Sequence, residues 1–341
     1  MKHIFNIHSA ITYIAALSII SKENFDINDC IIICDYDSGF DNNIPIRYLS
    51  GVKELQKPFK YAQRLIDFIS KECEGEEYYL YTAIVNYKAR ILLTANQCKG
   101  LRFFEEGDIN YMNSFSVEDI VAEYPMNESW RVNGFKAFLR EIRQALGDAY
   151  NGISRKMRML PFNYVEYATD KDVICYCFSE KSFPLAVTRK YISFINPLTQ
   201  KLKRTLDLDN HYLWISGKEI KPYNSEKVMS LYKNRLSKFL SDENVTNIMI
   251  KFHPGESEFA KNKTKEMFND FGVKYTIIGD DKIMEIELLA SKNVTMLGGL
   301  SSLLMYNTMY GHRSISLAKD FETFMAIGKD FYRMRENVVF L

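Results

Sequence analysis

The chain has 341 residues, enough for two domains of ordinary size, and its 47% hydrophobic and 26% charged content is that of a globular protein. Lys and Arg number 44 against 43 Asp and Glu, a formal net charge of +1. That balance excludes an overall electrostatic pull toward nucleic acid. The six cysteines, Cys30, Cys34, Cys73, Cys98, Cys175 and Cys177, include no C-x-x-C pair and mostly sit in apolar runs. They read as reduced, buried thiols of a cytosolic protein rather than a disulfide framework. The start lacks a secretory pattern, and the apolar stretch Ala10 to Ile20 is too short to span a bilayer. A cytoplasmic location is expected.

In chain order, His3 to Ile7 reads as a strand running into a helix at Ser9 or Ala10. Cys30 to Cys34 is a continuous β-branched run, the pattern of a strand buried on both faces. Val52 to Lys71 has helical spacing. Tyr78 to Ile84 and Leu101 to Phe104 read as strands, and helix dominates from Val117 to about Arg158. The second half restarts the alternation. Tyr212 to Ile215 is a strand ending in Ser216-Gly217, Glu226 to Leu240 a helix, and Asn247 to Phe252 a strand stopped by His253-Pro254-Gly255. Phe259 to Phe271 is a helix, Tyr275 to Ile278 a strand, and Ile283 to Ala290 a short helix. Val294 to Leu297 is a strand followed by Gly298-Gly299-Leu300-Ser301-Ser302 and another helix. Strands alternating with helices imply parallel sheets with right-handed crossovers. The expected boundary lies near Asn196-Pro197-Leu198, dividing residues 1–196 from 197–320. Residues 321–341 form a C-terminal segment for which packing back on the first domain is the expectation.

In an open parallel sheet, ligands bind beyond the carboxyl ends of the strands. Ser216-Gly217, His253 and the Gly298–Ser302 loop all follow strands directly, so they share one edge. Glycines at 298 and 299 allow close backbone approach, and Ser301 and Ser302 open a helix whose free N–H groups favour an anion. Simple N-capping by Ser301 explains the same residues. His253, at the end of a buried strand and pinned by Pro254, can donate a proton to a leaving phosphate; a structural histidine in a turn is the alternative. In the first half, Phe103-Phe104-Glu105-Glu106-Gly107-Asp108 places carboxylates after an apolar strand. One of them can deprotonate a sugar hydroxyl, or the group is a solvated turn. Strand alternation turns Glu105 and Glu106 in opposite directions.

Taken together, Glu105-Glu106-Gly107, His253-Pro254 and Ser301-Ser302 resemble, in order and separation, the motifs of the bacterial GT-B sialyltransferases. Lys251-Phe252-His253-Pro254 looks like that family's Lys-x-His-Pro lead-in. Ile286-Glu287-Leu288-Leu289 resembles its Pro-x-Glu-x-Leu segment, with Glu285 where the proline is expected. The resemblance spans about Phe103 to Asn307. It implies an α/β GT-B fold, two Rossmann-like domains facing a central cleft, and inverting transfer of sialic acid from CMP-sialic acid to a glycan hydroxyl, with a galactose-terminated surface polysaccharide or lipooligosaccharide as acceptor. In that family the acid beside the glycine is the base, which selects Glu106 over Glu105, with Asp108 a third candidate. Gly107 completes the motif. Glu287 is then expected to bind the donor ribose. Ser301, Ser302 and the neighbouring Gly298 and Gly299 amides would hold the phosphate, with Ser216 and Gly217 nearby. His253 would serve the departing oxygen. No Asp-x-Asp metal site is evident, since the triplets at Asp35-Tyr36-Asp37, Asp170-Lys171-Asp172 and Asp207-Leu208-Asp209 are not read as one, and the resemblance implies neither metal nor cofactor. Two rivals stand beside this reading: a GT-B transferase using another nucleotide-activated donor, and a non-catalytic nucleotide- or glycan-binding protein on the same fold. Arg155-Lys156-Met157-Arg158-Met159 is either a peripheral contact with the inner membrane face or a solvated helix end.

Overall fold

The computed structural model describes residues 1–34, 44–49, 60–111, 134–216, 225–299, 301–318 and 337–341. They form two compact units, one up to Leu202 and the other from Lys203. In the first, β1 (Lys2–Ile7) runs into α1 (Ala10–Glu23). Ser9 and Thr12 cap that helix reciprocally: the Thr12 amide faces the Ser9 hydroxyl at 3.4 Å, and the Ser9 amide donates to the Thr12 hydroxyl at 2.9 Å. β2 (Cys30–Cys34) is buried along its whole length, as a parallel strand covered on both faces requires. β3 (Arg47–Leu49), α2 (Tyr61–Glu72), β4 (Tyr78–Thr82), α3 (Tyr87–Leu93) and β5 (Cys98–Phe104) follow. Then come α4 (Gly134–Asn151), α5 (Arg155–Arg158), β6 (Ile174–Cys177) and β7 (Arg189–Tyr191). All pairings are parallel, in the order β3-β2-β1-β4-β5-β6-β7.

The second unit repeats the plan. It consists of β8 (Tyr212–Ile215), α6 (Ser225–Asp242), β9 (Asn247–Lys251), α7 (Glu258–Asp270), β10 (Lys274–Ile277) and α8 (Met284–Leu289). β11 (Thr295–Gly298), α9 (Ser302–Met309), β12 (Arg313–Ser316) and β13 (Val339–Phe340) complete it. Its parallel sheet has the order β10-β9-β8-β11-β12-β13. Alternation along β8 covers both faces. Trp214 packs with Leu236, Phe239 and Phe268, while Leu213 and Ile215 pack with Met284, Leu288 and Leu304. In each unit the chain works outward from the first strand, then crosses to its other side. The reversal falls between β1 and β4 in one unit and between β8 and β11 in the other. These are the topological switch points beyond which such sheets bind ligands.

Several expectations shift. The helix expected over Val117–Arg158 is, among the described residues, α4 and α5 separated by Gly152, whose φ of +72° ends α4 in the left-handed region. The helix expected from Val52 is described from Tyr61. The boundary lies at Leu202–Lys203, because the Asn196 segment stays tied to the first unit: its side-chain amide donates to Ser18 on α1 at 3.1 Å. The C-terminal segment 321–341 is described only from residue 337. There β13 pairs with β12 of the second sheet instead of returning to the first unit, since an open parallel edge offers it unmade backbone hydrogen bonds.

Candidate functional site

At the switch point of the first unit, β1, β4 and β5 end side by side: Asn6 is in register with Thr82, and Thr82 with Phe103. The two glutamates after β5 part company there. Glu105 is fully buried. It accepts from the hydroxyls of Tyr111 and Ser182 and, at 2.9 Å, from the amide of Phe178. Burial, with the Glu105 charge beside it, pushes the Tyr111 phenol far above its usual range. Glu105 is therefore a strut that ties the 108–111 turn and the 178–182 segment to β5. Its assignment as a catalytic carboxylate is corrected, because its oxygens already hold three donors from the chain itself.

Glu106 is half-buried and differently employed. Its amide donates to Asn110 Oδ1 at 2.6 Å, and Asn110 returns its own amide to the Gly107 carbonyl at 3.1 Å. Gly107 makes that turn possible with φ of +144°, which side chains rarely adopt. Glu106 Oε1 bonds to Nε2 of His8, the first residue beyond β1. Glu106 Oε2 is buried and has no hydrogen-bond partner among the described residues. Asp108 opens the 3₁₀ turn Asp108–Tyr111, and its side chain lies outside the described residues. Beside this pair on the same sheet edge, buried Asn6 donates from Nδ2 to Thr82 Oγ1 at 3.1 Å. Thr82 spends its own proton on the Ile84 carbonyl at 2.7 Å, which fixes the Asn6 amide with nitrogen toward Thr82. That orientation leaves Asn6 Oδ1 buried and without a partner among the described residues. Sequence reasoning missed both His8 and Asn6. The signal was there, since a histidine directly after the first strand meets the same edge rule that singled out His253.

In the second unit, Ser216 and His253 come together. The Ser216 hydroxyl accepts the His253 amide at 2.8 Å and bonds to the Glu256 carboxylate. Pro254 and Gly255 complete a tight turn in which the Glu256 amide donates to the His253 carbonyl at 2.9 Å. The Gly255 amide donates to His253 Nδ1 at 3.0 Å. An accepting Nδ1 puts the ring proton of the neutral imidazole on Nε2, and the residue is exposed. Ser216 is thus a support for His253. Glu256 is a further support that sequence reasoning left without a role. Gly217 lies outside the described residues. Lys251 is buried, with Nζ donating to the Gly279 carbonyl at 2.6 Å. Burial pulls its ammonium below the usual range against Asp280, Asp281 and Glu285.

The glycine pair after β11 has a packing cause. A Cβ on Gly298 would lie 2.7 Å from the Ile215 carbonyl oxygen, and one on Gly299 would lie 2.3 Å from the Tyr232 hydroxyl. Ser301 is the N-cap of α9, accepting from the Leu303 amide at 3.2 Å, and Ser302 is the first residue of that helix. Glu287 is 3% exposed and accepts from the Thr205 amide at 2.8 Å, the Thr205 hydroxyl at 2.6 Å and the Leu206 amide at 2.9 Å. A carboxylate offers about four acceptor positions, so a ribose would have to displace the chain's own donors. The expected ribose contact is corrected to a buried strut holding the 205–206 segment against α8. Among the described residues, no group of three or more His, Cys, Asp or Glu stands where it could hold a metal ion.

No protein family and no curated protein matches the sequence. Solved structures do. UDP-GlcNAc 2-epimerase from Neisseria meningitidis bound to UDP-GlcNAc is similar with a TM-score of 0.50 at 11% identity, over 98% of this chain and 90% of that one. The S. aureus MnaA–UDP co-structure matches with a TM-score of 0.48 at 10% identity, over 93% and 79%. The E. coli heptosyltransferase WaaC with ADP-2-deoxy-2-fluoro heptose matches with a TM-score of 0.44 at 11% identity, over 100% and 93%. The chain has the GT-B fold. Within that fold, His8 and Glu106 stand at the switch-point edge of the first Rossmann-like unit. Ser216, His253, Gly298, Gly299, Ser301 and Ser302 stand at the corresponding edge of the second.

Proposed function

We propose that this chain is a glycosyltransferase that binds a nucleotide-activated sugar on the second unit and inverts it onto an acceptor hydroxyl deprotonated by Glu106. The observation that carries the reading is the buried, unpartnered Glu106 Oε2 beside an Oε1 already held by His8. Buried acceptors are normally paired, and a sugar hydroxyl supplies the missing donor. The pairing with His8 orients the carboxylate and spreads the charge change when the proton arrives. Asn6 Oδ1, unpartnered at the same sheet edge, offers a place for a second hydroxyl. On the other unit, His253 presents a ring proton at Nε2 for the departing phosphate oxygen, held by Ser216 and Glu256. The anomeric carbon passes through an oxocarbenium-like state and the hydroxyl attacks from the face opposite the phosphate.

The narrower reading is CMP-sialic acid as donor with a glycan acceptor. It is favoured by the order of Glu106-Gly107, His253-Pro254 and Ser301-Ser302 along the chain. Donor hydrolysis and calorimetric binding with CMP-sialic acid, UDP-GlcNAc, CMP and UDP separate the two readings. UDP-GlcNAc belongs in the panel because the Neisseria epimerase holds it. Tighter binding and turnover of CMP-sialic acid supports the sialyl donor, and preference for the uridine pair replaces it with another nucleotide sugar. Binding without turnover of any donor, with or without an acceptor, contradicts the transferase reading.

A further inference from the structure

On α4, Ile142, Leu146 and Tyr150 are spaced four apart and therefore share one face of the helix. They are 41%, 67% and 52% exposed. Ala145 and Ala149 flank them and are exposed as well. The acid of this stretch faces the other way: the Asp148 side chain is only 15% exposed and reaches Arg158 at 3.7 Å. An ordinary surface helix turns its apolar stripe to the core and its charges to water. Here the described stripe is turned to water, and Arg143, three residues before Leu146 and so its neighbour on the helix surface, is exposed beside it. The next element carries the matching charge. Arg155 and Lys156 of α5 are exposed, and Met159, directly after it, is 70% exposed. Between positions 142 and 160 the basic residues are Arg143, Arg155, Lys156 and Arg158, and the sole acid is Asp148. The positive excess is local, since the whole chain carries only +1.

Outward apolar side chains beside exposed cations match the chemistry of an anionic bilayer surface, where the former enter the acyl boundary and the latter meet the headgroup charge. We propose that this face of the first unit docks on an anionic lipid surface. A second copy of the chain is a poorer occupant, because a two-fold interface would set the same cationic patch against itself. Among the described residues no helix is long and apolar enough to cross a membrane. The inference is independent of which sugar the site takes.

The test is cosedimentation of the full chain with vesicles of phosphatidylcholine alone or mixed equally with phosphatidylglycerol. The protein is expected on the mixed vesicles only, with release by added salt. Arg155→Gln with Lys156→Gln should weaken partitioning roughly five-fold per residue removed, about 25-fold in all. Leu146→Glu should weaken it at least about ten-fold by placing a charge in the acyl boundary. Circular dichroism checks the fold of each variant, and the Gln pair keeps the test decisive if Leu146→Glu misfolds. Partitioning to neither vesicle, equal partitioning to both, or binding untouched by these variants overturns the proposal. So does a concentration-dependent dimer, seen by ultracentrifugation, that Leu146→Glu dissolves without any vesicle binding.

Discussion

In the second unit, Ser216, His253, Glu256 and Glu287 all find hydrogen-bond partners within the chain. At the equivalent edge of the first unit, Glu106 Oε2 and Asn6 Oδ1 are buried with no partner among the described residues. The folds are alike and the strand orders correspond, so the difference lies in what the chain adds after each strand. The bonds around Ser216, Glu256 and the Gly255 amide hold His253, an exposed residue, in place. An unsatisfied buried acceptor costs about 1–3 kcal/mol, and a substrate hydroxyl can relieve that cost. The proposed reading follows this difference, with proton acceptance on the first unit and leaving-group support on the second.

The largest effect that can break this comparison belongs to Glu106. Glu106→Gln should lower transfer by about 10²–10⁴-fold, with an unchanged melting temperature. His253→Ala comes next, near the low end of that range, and its loss should shrink with a donor carrying a better leaving group. Normal turnover in both variants would remove the proposed division of labour. Glu105→Gln should behave in the opposite way. Loss of a buried carboxylate holding Tyr111, Ser182 and Phe178 should cost about 1–3 kcal/mol of stability, read by urea unfolding. Activity per folded molecule should stay near normal, so a stable but inactive Glu105→Gln would reverse the roles of the two glutamates.

The parting of Glu105 from Glu106 was legible in the sequence, because consecutive residues leaving a strand point to opposite faces. β1, β2, β8, β9 and β11 were legible as apolar runs. The strands Arg189–Tyr191 and Arg313–Ser316 were not: their residues RKY and RSIS are largely polar, and pairing in the sheet makes them strands. Site supports were hidden for a related reason. Nothing local in the sequence tells that Glu287 will meet Thr205, or Glu105 Ser182, since those partners are about 80 positions away. Gly298 and Gly299 suggested a phosphate loop, yet packing against Ile215 and Tyr232 accounts for both.

Two smaller effects sharpen the comparison further. Gly299→Ala should destabilise the second unit by about 1–3 kcal/mol through overpacking. Adding Tyr232→Phe should recover part of that loss by removing the hydroxyl that the new Cβ meets; no recovery would mean a ligand-independent packing cause is wrong. The smallest effect concerns His3, stacked on Phe25 with ring centroids 3.7 Å apart. Burial lowers its pKa from 6.5 to about 4. The unfolded chain thus binds the extra proton between those values, so this contribution to stability is present above pH 6.5 and fades as pH falls toward 4. Urea midpoints across that window should fall less in His3→Gln than in the parent chain, and parallel curves would exclude a role for His3.

The account stands most directly on one measurement: steady-state transfer by wild type and Glu106→Gln, with a nucleotide-sugar donor that the wild type turns over and a hydroxyl acceptor. The expected result is a fall in kcat of about 10²-fold or more with donor affinity unchanged by calorimetry, since the donor is proposed to sit on the other unit. A Glu106→Gln protein that keeps near-normal kcat while binding donor normally would contradict the assignment of the base, and with it the reading of the open edge in the first unit.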